Sequence, residues 1–149
     1  MMRYLSILLL LTALGVAKDQ KPLDELKAEA EKASGGHQAL LYAQLAERTV
    51  DVADQQFTAG ESQQGHETVK QVLEFASRAH EIALETHRKM KEIEIHLRET
   101  QRHLASVRRT LAADDRPALE AAEKKLADYR QDLLDAMFAP KKHKEPKQP

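Results

Sequence analysis

The sequence has no cysteine and no tryptophan, and aromatic residues make up only 4% of it. Without cysteine the chain can form no disulfide, carries no thiol nucleophile and cannot take the lipid that bacterial lipoproteins bear on that residue. Glycine and proline are sparse at five each, and none falls in the 51 residues from His66 to Arg116. No segment alternates apolar and polar residues for long enough to read as a strand. There is no Gly-x-Ser-x-Gly elbow and no glycine-rich phosphate loop, so hydrolase and phosphoryl-transfer chemistry have no motif to rest on. Charge of one sign is lacking as well. The 23 Lys+Arg and 24 Asp+Glu leave a net charge of -1, which gives no overall pull toward nucleic acid or an anionic membrane.

What the chain does hold is helix-forming residues in heptad order. Counting in sevens, Val69, Ala76, Ala83, Met90, Leu97, Leu104 and Leu111 occupy one position, and Val72, Ala79, Thr86, Ile93, Thr100 and Val107 the other. This 3-4 spacing is a packing seam of coiled-coil type. It predicts an all-α protein of elongated antiparallel helical hairpins, built around one very long central helix over about residues 66 to 113. At ~1.5 Å per residue the unbroken stretch would extend roughly 75 Å. Beyond His87 the apolar surface narrows to a single stripe, so Thr86 to Arg88 is where such a helix bends if it is not straight.

Residues 1–17 have the pattern of an export signal: Arg3, then a short apolar run from Leu5 to Leu14, then Gly15-Val16-Ala17. Cleavage is expected after Ala17. Polar Lys18 to Lys21 follow too soon for the ~20 apolar residues that span a bilayer. The expected location is therefore the periplasm or the medium of a bacterium, without stable membrane insertion. Residues 18–139 read as a single helical domain with helices at about 22–34, 37–59, 66–113 and 115–138. The Lys/Pro-rich stretch 140–149 is too polar to pack and reads as a disordered tail.

Gly35-Gly36 and Gly60 mark helix ends. The second helix has a small-residue seam of Ala39, Ala43, Ala46, Val50, Ala53 and Phe57, and a link over Gly60 to Gly65 returns it antiparallel along the long helix. The expected register sets Phe57 near Val69, Val50 near Ala76 and Ala43 near Ala83. Leu73, Phe75, Ile82 and Leu84 lie off the seam. Either the first helix covers them in a three-helix bundle, or they form a partner surface. The last helix opens with an aspartate cap and Pro117. Its stripe should set Leu119 by Leu111, Leu126 by Leu104 and Leu133 by Leu97. Charge supports that pairing, since residues 87–111 hold seven Lys/Arg against three Asp/Glu and residues 114–135 hold four against seven.

Glu92, His96, Glu99 and His103 are spaced 4, 3 and 4, one stripe of imidazole and carboxylate that suits a transition metal by ligand type. One helix seldom closes a coordination sphere, and no Glu-x-x-His pair of the di-iron kind is present. The same histidines suggest a pH response. Protonating His96 and His103 beside Arg98, Arg102, Arg108 and Arg109 adds repulsion unless acids of the last helix offset it.

The segment Ala53 to Ala83, with Phe57, Gly60, Val69, Leu73, Ala76 and Ala79, is similar to the small-residue hairpins of tetratricopeptide repeats. Its turn is longer, and no ~34-residue period recurs. In outline, an exported helical hairpin protein also resembles periplasmic holding chaperones. The expected function is that of an exported, non-enzymatic helical protein that binds another protein or a second copy of itself through apolar helix stripes, as adaptor or scaffold, with no cofactor. The alternatives are a chaperone-like binder of unfolded chains and a His/Glu metal-binding or sensing protein.

Overall fold

A computed structural model describes residues 20–139; the export segment and the tail lie outside them. The described residues form five helices and no strand: α1 (Leu23–Lys32), α2 (Gly35–Thr58), α3 (Ser62–Thr86), α4 (Met90–Thr110) and α5 (Arg116–Phe138). The protein is thus all-α, as its periodicity predicts. Helix α2 is the centre of the bundle. Helices α1, α3 and α4 each pack against it, and α5 lies across α4 and α3.

The composition of α2 explains that position. Ala39, Ala43, Ala46, Val50 and Ala53 are completely buried, so small side chains let a neighbouring axis come close. Leu41, Tyr42 and Leu45 are buried as well, on another side of the same helix. A helix that is apolar on more than one face must be covered on more than one face.

The single long central helix is not what forms. The chain leaves helical geometry at His87 and Lys89, both left-handed with φ of 52° and 58°, and α4 turns back onto α2. Burial accounts for this. Helix α2 has 24 residues and covers ~36 Å, about half of a ~75 Å rod, which would leave α4 covered by α5 alone. Folded back, Ile93, Leu97 and Leu104 are all completely buried. The longest helix is therefore α3, with 25 residues and ~38 Å.

The break is made without glycine or proline, although both other positive-φ positions among the described residues, Gly35 and Gly60, are glycines. A side chain at positive φ strains the backbone and glycine does not. His87→Gly and Lys89→Gly should each raise the unfolding free energy by roughly 0.5–1 kcal/mol, measured by urea denaturation. Unchanged or lower stability in both variants would mean that the backbone there is relaxed.

The α2–α3 hairpin is tighter than the seam alone suggests, by up to one turn. Phe57 packs on Gly65, where an added Cβ would lie 2.7 Å from its ring, and it meets His66 edge-on at 5.1 Å. Gln56 accepts a hydrogen bond from Thr68. Phe57 thus sits level with residues two to four positions before Val69. The cause is local, because α3 starts at Ser62 instead of His66, which shortens the link by one turn. The α4–α5 hairpin keeps its expected register. Arg108 binds Glu123, Arg130 binds Gln101, and Leu97, Leu104, Leu111, Leu119, Leu126 and Leu133 are buried.

Two seam threonines satisfy their hydroxyls within their own helix. Thr100, completely buried, donates to the His96 carbonyl at 2.7 Å, and Thr86 donates to that of Ile82 at 2.7 Å. The expected aspartate cap of α5 is Asp115, but its carboxylate makes no cap bond. It accepts instead from Ser62 at 3.3 Å and pairs with His66 at 2.7 Å, which ties the start of α5 to the start of α3.

Candidate functional site

The first helix does not form the expected three-helix bundle with α3. Helix α1 packs on α2 alone, burying Leu26 and Ala30, and Gln38 donates to the Ala30 carbonyl at 2.9 Å. Lys21 binds Glu29 at 2.7 Å. That hydrogen bond holds the Glu29 carboxyl below the ordinary carboxylate range and raises the Lys21 ammonium.

Because α1 stands apart from α3, a groove of about 700 Å³ opens between them. Its floor is mixed and central to the fold: Tyr42, Leu45, Thr49 and Val52 from α2, with Thr68 and Phe75 from α3, of which Tyr42, Leu45, Thr49 and Thr68 are buried and Val52 and Phe75 half-buried. Tyr42 and Phe75 stack at 6.2 Å between centroids, and the Arg78 guanidinium lies 5.9 Å above the Tyr42 ring. The rim is charged, with Asp24, Glu31, Glu74 and Glu81 against Lys27 and Arg78. The groove is thus a cleft between two helical walls with ionic edges and a partly apolar floor.

Of the four off-seam residues singled out as a partner surface, Phe75 lines this groove, whereas Leu73, Ile82 and Leu84 do not. All four are half-buried and pack against the core. Leu73 is seven residues from both His66 and His80, which reach α5 through Asp115 and Asp132, so its stripe faces that helix. His80 also stacks on Tyr129 of α5 at 4.5 Å. The groove floor on α2 was missed by seam counting. Tyr42, Leu45 and Val52 were its signal, since none of the three belongs to the alanine seam.

The stripe Glu92, His96, Glu99 and His103 is not brought together as a metal centre. Among the described residues no group of three or more histidines and acids is placed to hold an ion. Glu92 lies 3.7 Å from Lys89, and Glu99 accepts from Arg102 at 3.1 Å. The two histidines turn to α2 instead: His96 binds Glu47, and His103 lies 3.4 Å from Asp51 and 3.6 Å from Asp54. The acids that face these imidazoles come from α2, whereas Glu120 and Glu123 of α5 pair with Arg108. The Glu123 bond holds the Arg108 guanidinium charged more firmly still.

Across the bundle, four histidines therefore bridge helices to carboxylates: His66 and His80 from α3 to the start and the body of α5, His96 and His103 from α4 to α2. No described helix is long and apolar enough to cross a membrane. Comparison with family models, with curated proteins and with solved structures finds no match to this chain, so its function is read from its own residues.

Proposed function

We propose that this is an exported, non-enzymatic adaptor that binds an amphipathic helix of another protein in the α1–α3 groove. The observation that carries the reading is an open groove between two charged walls, in which the half-buried Leu23, Val52 and Phe75 lie beside the buried Tyr42 and Leu45. Burying the apolar stripe of an incoming helix in that groove supplies affinity at about 25 cal/mol per Å² of apolar surface, less the cost of association. The rim selects the partner. With four acids against two bases, it favours a helix whose polar flanks are basic. Export rests on the pattern of residues 1–17, and a periplasmic or secreted partner follows from it.

The test is site-specific photo-cross-linking in a bacterial periplasm. A photoreactive group at Gln71, on the groove wall, should give a discrete adduct that is lost when Phe75→Glu is added. The same group at Lys124, on exposed α5, should not give that adduct. Equal adducts from both positions would sink the reading. Suppression of model-substrate aggregation at substoichiometric amounts would move it to the chaperone-like alternative.

A further inference from the structure

The connector of residues 87–89 divides the bundle into two halves, α1–α3 and α4–α5. We infer that this chain also forms a dimer in which two copies exchange α4 and α5, with α3 and α4 straightened into one helix. The inference does not depend on the groove, which is built wholly from α1, α2 and α3 and survives exchange in each copy.

Three observations carry it. First, the turn has no residue that requires a turn: Thr86, His87, Arg88 and Lys89 are all compatible with a helix, yet two of them are held at positive φ. Short connectors under strain favour exchange, because opening relieves the strain while every other contact can re-form. Second, the packing seam runs through the break in register. Ala83, Thr86, Met90 and Ile93 keep the 3-4-3 spacing, so a helix continuous from Ser62 to Thr110 would present one unbroken stripe. A single folded copy makes no use of that continuity.

Third, the contacts between the halves are self-contained pairs that transfer without loss. His96 meets Glu47, His103 meets Asp51 and Asp54, His80 meets Asp132, and His66 meets Asp115, each pair with one member in either half. The moving unit holds together by itself through the Arg108 contacts to Glu123 and the Arg130 contacts to Glu94. What the closed form has in addition is the packing of Arg88 on α2, whose Cβ leaves no room for one on Gly36.

The cysteine-free chain allows a direct test. Two chains are prepared, one with Glu47→Cys and one with His96→Cys, and are refolded together at high concentration. They are then treated with a short thiol-thiol cross-linker and run on a denaturing gel. In an exchanged dimer α4 of one copy lies on α2 of the other, and a covalent heterodimer forms. A His87→Ala/Lys89→Ala background, which favours the straight helix, should raise its yield at least about tenfold over a His87→Gly/Lys89→Gly background, which favours the turn. Light scattering should give doubled mass for the same species. Doubled mass without the cross-link means side-by-side association and overturns the inference. So does a helical, monomeric alanine variant at every concentration. If the alanine background fails to fold, the native connector must still exceed the glycine background in heterodimer yield; equal yields overturn it.

Discussion

Leu104→Ala is expected to lower the unfolding free energy by about 3–4 kcal/mol, and with it the melting temperature by roughly 10 °C. Leu104 is completely buried on α4, a helix packed between α2 and α5. The walls of the resulting cavity cannot close easily. On one side His103 meets Asp51 and Asp54 of α2, and on the other Arg108 holds Glu123 of α5. Both neighbours are therefore fixed close to the site, which puts the cost in the upper part of the range for buried leucines. Against a total stability of about 5–15 kcal/mol for a domain, such a loss is easily read from a urea titration with unchanged slope. A loss below ~1 kcal/mol would mean that α4 does not pack between α2 and α5.

Glu94→Ala should cost about 2–3 kcal/mol by the same measurement. Glu94 is only 5% exposed and is fully engaged. Its Oε1 accepts from Arg130 Nε at 3.0 Å and lies 2.9 Å from Arg130 Nη2, and its Oε2 accepts from Arg98 Nη2 at 2.8 Å. Removing the carboxylate leaves two guanidinium groups side by side without their shared anion, and Arg98 Nε is already buried without a partner. The figure stays below the ~3–5 kcal/mol of a fully buried broken pair because both arginines keep contact with water. A double-mutant cycle of Glu94→Ala with Arg130→Ala should give a coupling of at least ~1 kcal/mol. Simple additivity would show that the two residues act independently.

The two candidate sites differ in how much of each could be read from residue order. The histidine stripe of α4 is legible as a stripe, because spacing of 4, 3 and 4 places residues on one helix face. Its partners are not, because Glu47, Asp51 and Asp54 come from a helix some fifty residues earlier in the chain. The groove was half legible. Phe75 stands out as apolar and off the seam, but the floor it joins depends on where α1 stops short, and nothing in Leu23 to Lys32 encodes that distance.

Periodicity by itself determined that the chain is helical, where α2 and α5 run, and the leucine ladder between α4 and α5. These follow from side chains three and four residues apart sharing a face, a property of the helix that needs no knowledge of the rest of the molecule. The break at His87–Lys89 was decided only by the tertiary structure. Its residues are ordinary helix residues, and locally a continuous helix satisfies all of them. What opposes that helix is that α4, beyond the reach of α2, would have only α5 to cover Ile93, Leu97 and Leu104. Burying these side chains against α2 and α5 outweighs two strained backbone positions, and that balance exists only once the chain has folded.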